Sequence, residues 1–136
     1  MIKFLSILLL LFLVCPLPIL IAGEAELEWD APTTNEDGTP IGATLAGYRV
    51  YYGTTQRPTV CDNQTFFTYT TMLDVGNVLT IKLLNLPNPP AFQKQKYYFS
   101  VTAYNVGALE SKYSNEVNKE FIGPTPVPGC PGLRVK

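Results

Sequence analysis

The 136-residue chain contains no histidine. That removes the side chain that titrates nearest neutrality, and with it the commonest general base and metal ligand. Charge is scarce as well: ten Lys and Arg stand against eleven Asp and Glu, a formal net charge of −1. There is no basic run, so the electrostatic footprint of a nucleic-acid binder is missing and nucleic acid is not an expected partner. No nucleophile motif, phosphate-cradling glycine loop or paired CxxC occurs. Carboxylates gather at Asp30, Glu36 and Asp37. A calcium site needs several oxygens converging at close spacing, whereas Asp37-Gly38 among prolines is ordinary turn chemistry. A carboxylate pair for hydrolysis needs a defined cleft, and the pattern suggests none. The expectation is a protein without catalysis, cofactor or metal.

What is present begins with Lys3, the apolar run Phe4 to Cys15, the breakers Pro16 and Pro18, and the small residues Ala22, Gly23 and Ala25. Charge, apolar run, breaker and small residues in that order read as a secretory signal. Residues 1–22 are expected to be removed after Ala22, with Ala25 the second candidate. The alternative is a retained anchor over residues 4–22, close to the roughly 20 residues that a spanning helix needs. Val14 before Cys15 is a poor match to a lipid-attachment signal. The protein is thus expected to be secreted, periplasmic or at the cell envelope, touching a membrane only if the N-terminal segment is uncleaved. The remainder divides into one domain, residues 23–122, and a proline-rich tail, residues 123–136. It keeps two cysteines, Cys61 and Cys130, and an even count in an exported chain invites pairing.

Periodicity within the domain is two, not 3.6. Glu24, Glu26 and Glu28 alternate with Ala25, Leu27 and Trp29, a strand with one face buried. Residues 30–45 are dense in turn formers. In GYRVYYG, residues 47–53, Tyr48, Val50 and Tyr52 share one face while Arg49 and Tyr51 share the other. A loop with Pro58 and Cys61 leads to a peripheral strand over 65–73, and Asp74 to Asn77 turns the chain. Leu79, Ile81 and Leu83 then face inward by alternation. After a proline-rich loop, QKYYFSVTAYN puts Tyr97, Phe99, Val101 and Ala103 on one face. A last strand spans Ser114 to Phe121. Short strands separated by turn signals imply a β-sandwich.

The combination Leu27-x-Trp29-x-x-Pro32, Tyr48-x-Val50-x-Tyr52, Leu86-Pro87, Tyr97-x-Phe99-x-Val101-x-Ala103-x-Asn105 and Ser114-Asn115 resembles a fibronectin type III domain of the kind found in exported bacterial proteins. The resemblance covers residues 25 to about 121. It implies an all-β, immunoglobulin-like sandwich with strands at 25–30, 47–53, 65–73, 77–84, 96–105 and 114–122, and a first strand that is short or missing. It implies that Trp29 packs centrally between the sheets and that the Tyr97 hydroxyl bonds to backbone in the preceding loop. Its layout places the loop with Cys61 and the tail with Cys130 at one pole, which implies a Cys61–Cys130 disulfide. It leaves the edge of the Trp-bearing strand open, with Glu24, Glu26 and Glu28 placed to discourage pairing or, alternatively, with a partner strand filling the vacancy.

For function, the resemblance implies a single non-catalytic module for protein interaction or adhesion at the cell envelope, its partner an unknown protein or glycan of the cell surface. The outward residues Arg49, Tyr51, Tyr98 and Tyr104 are the candidate binding face, since exposed aromatics beside Arg typify recognition surfaces. They are equally the cross-strand pairs that stabilise a sheet. Used for sugars, that face would make the protein a carbohydrate-binding accessory module.

Overall fold

The computed structural model describes residues 22–58 and 68–125. Both cysteines of the expected disulfide, Cys61 and Cys130, lie outside them, as do most of the N-terminal segment and residues 126–136 of the tail. The described residues form six strands: β1 (Gly23–Glu28), β2 (Leu45–Gly53), β3 (Thr71–Gly76), β4 (Thr80–Leu86), β5 (Lys94–Asn105) and β6 (Val117–Ile122). All pairings are antiparallel. One sheet is β1-β4 and the other β3-β2-β5-β6, so the chain is an all-β sandwich.

Alternation decides the core. Tyr48, Val50 and Phe99 are essentially sealed from water, and Tyr97 is buried beside them. Tyr52 pairs across from Phe99 and Val50 from Val101, placing the inward residues of β2 and β5 in register. Ala25, Leu83 and Leu86 meet them from the two-stranded sheet, and Phe121 closes the β6 side. The aromatic contacts are edge-on or offset: Tyr97 meets Phe121 at 5.6 Å and 83°. Such pairs add about 0.5–1.5 kcal/mol beyond area burial. The Tyr97 hydroxyl donates to the Pro87 carbonyl at 3.0 Å, tying β5 to the loop that precedes it.

Several boundaries differ from the sequence reading, each for a visible reason. Trp29 lies just past β1, partly exposed but packed against the core cluster, its ring edge-on to Tyr48 at 5.6 Å. The third strand runs to Gly76 because Asp74, read as a turn former, pairs opposite Arg49. The turn then forms at Gly76, where φ is +67° and the Asp74 carboxylate accepts the Gly76 N–H at 3.0 Å. Leu79, expected to face inward, stands one residue before β4 and is 45% exposed. The last strand begins at Val117, not Ser114. Between Glu110 and Ser114 the chain follows the upper edge of β5 without forming a regular ladder. Ser111 and Ser114 donate their N–H groups to Ala103 and Val101 carbonyls, both at 2.8 Å. Their hydroxyl oxygens accept the Ala103 and Val101 N–H groups, both at 3.0 Å. Two serine side chains thus stand in for missing backbone acceptors.

Among the described residues no helix is long and apolar enough to cross a membrane. The packing sets an order of importance that differs from the sequence reading. Phe99→Ala should lose about 3–5 kcal/mol, the usual range for a sealed aromatic, and Trp29→Ala should lose less because Trp29 stays partly exposed. Tyr97→Phe should lose about 1 kcal/mol, the net worth of one hydrogen bond. Urea unfolding followed by circular dichroism would rank the three; Trp29→Ala as the most damaging would contradict the packing.

Candidate functional site

Two places on the surface concentrate side-chain chemistry. The first is the outer face of the four-stranded sheet. Register puts Arg49 opposite Thr102 and Asp74, and Tyr51 opposite Ser100 and Met72. One Arg49 terminal nitrogen donates to the Glu110 carboxylate. Its Nε lies 3.5 Å from Asp74 Oδ2, close enough for attraction between charges though not aligned as a hydrogen bond. The guanidinium also sits over the Tyr104 ring, 4.6 Å from its centroid. Glu110 Oε1 accepts from the Tyr51 hydroxyl at 2.6 Å and from the Thr102 hydroxyl at 2.5 Å. The Tyr104 hydroxyl donates to Asp74 at 3.0 Å.

A backbone feature makes this approach possible. Position 47 in β2 is glycine, and a Cβ there would fall 2.7 Å from the Tyr104 hydroxyl oxygen and 2.9 Å from the Gly76 carbonyl carbon. Any side chain at position 47 would therefore displace Tyr104 or strand β3.

Towards the other end of the face, Tyr51, Tyr69 and Tyr113 form an aromatic triad, with Tyr51–Tyr113 at 5.0 Å and Tyr69–Tyr113 at 5.3 Å. Arg57 lies over Tyr113 and donates to the Ser114 carbonyl at 2.9 Å. The Tyr69 hydroxyl donates to Glu116 at 2.6 Å, and Glu116 also accepts the Arg57 N–H at 3.0 Å. Tyr69, Ser100 and Thr102 are buried although they lie on the outward side. The outer face therefore carries a second, polar-aromatic packing layer held by Glu110 and Glu116.

Of the four residues expected to bind, Arg49, Tyr51 and Tyr104 are brought together. Tyr98 is not: it lies further along β5, opposite Gly53 and Asn118. The sequence reading missed Glu110, Asp74, Tyr69, Tyr113 and Arg57. Asp74 and Glu110 look like turn residues in the sequence, and nothing local marks Tyr69 or Tyr113 as partners of Tyr51.

Charge is tuned accordingly. Burial pushes the Tyr51 hydroxyl up to about 12, with the hydrogen bond to Glu110 adding to the effect. Tyr69 is pushed up by burial and by Glu116 in the same way. Burial alone would raise Glu110, but hydrogen bonds from Thr102, Tyr51 and Arg49 outweigh it and hold the carboxyl below the usual glutamate range. Asp74 is lowered chiefly by the Gly76 N–H.

The second place is the pole where the 30–44 loop meets the turn after β5. A groove of about 530 Å³ opens there, bordered by Pro32, Ile41, Leu45, Tyr104 and Leu109. Hydrogen bonds within and between the two segments fix its walls. The Asn105 side-chain oxygen accepts the N–H groups of Gly107 and Leu109, both at 2.9 Å. The Thr44 carbonyl accepts the Val106 N–H at 2.9 Å, and the Glu36 carboxylate accepts the Lys112 N–H at 2.7 Å. On this fixed turn Val106 is 75% exposed and Leu109 72% exposed.

Among the described residues no group of three or more His, Cys, Asp or Glu is placed to hold a metal ion. Neither a family model, nor a curated protein, nor a solved structure matches the chain.

The lowered Glu110 value fixes a pH dependence. A carboxyl whose folded value is depressed stabilises the fold fully above its unfolded value, here the ordinary 4.5. That contribution fades as pH falls through the lower folded value. Glu110→Gln should cost about 1.5–3 kcal/mol near neutral pH, the range for hydrogen bonds to a charged group. It should also flatten the acid limb of a plot of stability against pH. Unfolding curves between pH 3 and pH 7 that stay parallel for both proteins would remove Glu110 from that role.

Proposed function

We propose that this chain is an exported, non-catalytic module resembling a fibronectin type III domain, and that it binds a protein partner at the cell envelope through the groove at the 30–44 and 106–111 pole. The observation that carries the binding reading is the pair Val106 and Leu109. Two large aliphatic side chains stand in water on a turn that five hydrogen bonds already hold in place. Exposed apolar groups beside a groove typify interaction surfaces, and a fixed turn loses little further entropy on binding.

The family reading draws support from two features. The described strands form two antiparallel sheets, as a sandwich requires, and the Tyr97 hydroxyl bonds to backbone ahead of β5. The non-catalytic reading draws support from how the carboxylates are used: Glu110, Glu116 and Asp74 all accept hydrogen bonds from neighbours that hold the sheet together.

The glycan alternative, through Tyr51, Tyr98 and Tyr104, receives less support. The Tyr51 and Tyr104 hydroxyls are committed to Glu110 and Asp74, and Tyr98 stands apart from both. A sugar-binding face needs its polar groups available to the ligand.

The test is capture from the native cell-envelope fraction with wild type, a Val106→Asp/Leu109→Asp double variant and Tyr51→Phe, each first checked for an unchanged melting temperature. A defined protein should be retained by wild type and Tyr51→Phe, and its yield should drop at least roughly tenfold, about 1.4 kcal/mol, with the aspartate variant. Equal capture by all three, or glycan-array binding lost on Tyr51→Ala or Tyr104→Ala, would overturn the reading.

A further inference from the structure

Among the described residues β1 is paired on one side only, to β4. The Trp29 N–H donates to the Leu79 carbonyl at 3.0 Å, and the Thr80 hydroxyl donates to the Leu27 carbonyl at 3.0 Å. Backbone groups of alternate residues point to opposite sides of a strand. Those of Ala25, Leu27 and Trp29 therefore face β4, while the N–H and C=O groups of Glu26 and Glu28 face away from it. The second edge of β1 is thus built from glutamate backbone.

A groove of about 330 Å³ lies between the sheets, bordered by Leu27 and Trp29, by Phe99 and Val101 of β5 and by Val117 of β6. No residue of β4 borders it, so it opens on the side of β1 where the glutamate backbone points. Val117 is 46% exposed there. The buried Trp29 Nε1 has no acceptor among the described residues, and an incoming oxygen would offset the cost of that unmade bond. The outer face of the same edge is acidic. Glu24, Glu26 and Glu28 are all exposed, and their one ion pair among the described residues joins Glu24 to Lys82 at 2.9 Å.

These properties specify an occupant. Unpaired strand backbone is completed by another extended segment. Side chains of a strand alternate between its faces, so the groove calls for an apolar group at every second residue. Glu26 and Glu28, two residues apart, call for cations at the residues between. A second copy of β1 does not fit, because like charges directly opposite one another destabilise a strand pair.

We propose that the open edge of β1 receives an extended segment of a partner protein in which aliphatic residues alternate with Lys or Arg. The aliphatic groups cover the groove, and the cations lie beside Glu26 and Glu28. The glutamates then act in two ways, repelling a second copy of the edge and selecting a basic partner. This surface is separate from the groove at the 30–44 and 106–111 pole, so either reading can fail without the other.

The test uses the full chain and a blocked hexapeptide alternating Lys and Val, followed by the fluorescence of Trp29, the only tryptophan. Fluorescence should change saturably at millimolar peptide or below, and exchange of the Glu26 and Glu28 amides with deuterium should slow at least about tenfold while Val50 and Phe99 stay unchanged. Glu26→Lys/Glu28→Lys should weaken binding of this peptide at least about tenfold and should bind a peptide alternating Glu and Val instead. A general loss of folding would not produce that exchange of preference. No saturable change at millimolar peptide, or equal binding of both peptides by wild type, would overturn the proposal. So would Glu26 and Glu28 amides already protected without peptide, since the edge would then be occupied by the chain itself or by a second copy.

Discussion

The structure depends on the pairing of β2 with β5. Eight register positions, from Leu45 opposite Asn105 to Gly53 opposite Tyr98, lock the two longest strands together. Because side chains alternate, that single ladder creates two surfaces at once. Its inner side is the aromatic half of the core; its outer side is the platform for Arg49, Tyr51, Thr102 and Tyr104. A slip by one residue would exchange the two sets. The cost of setting Arg49 in the apolar core and Phe99 in water makes the register self-enforcing.

The outer platform shows how a small domain can use both faces of a sheet. Glu110 joins β2, β5 and the segment after β5 through Arg49, Tyr51 and Thr102. Glu116 joins two points within the β2–β3 connection, one near each end, through the Arg57 N–H and the Tyr69 hydroxyl. Each carboxylate therefore works as a junction between parts of the chain distant in sequence. This use of the tyrosines commits the Tyr51 and Tyr104 hydroxyls to internal contacts, while Val106 and Leu109 at the far pole stay exposed.

The strands were legible in the sequence wherever both alternation and aromatic content were strong, as in 47–53 and 96–105. Legibility failed where one residue type serves two purposes. Asp74 beside Gly76 reads as a turn, yet it is drawn into the ladder by Arg49 across the strand. Ser114-Asn115 reads as the start of a strand, yet Ser111 and Ser114 satisfy β5 through their hydroxyls and delay the ladder to Val117. The resemblance implies Trp29 at the centre of the core; it packs against the core cluster from just past the end of β1 and stays partly exposed.

The sequence by itself determined the all-β class, the inward faces of β2 and β5 and the candidates Arg49, Tyr51 and Tyr104, because period-two alternation is a local property written along each strand. Only the tertiary structure decided what those outward residues do. Glu110 and Tyr113 come from the segment after β5, and Tyr69 and Asp74 from β3 and the residues just before it; their convergence on β2 depends on strand order and register, which no local pattern encodes. The same holds for the exposed pair Val106 and Leu109: in the sequence they are two aliphatic residues in a turn. Folding fixes that turn with hydrogen bonds and leaves both side chains in water.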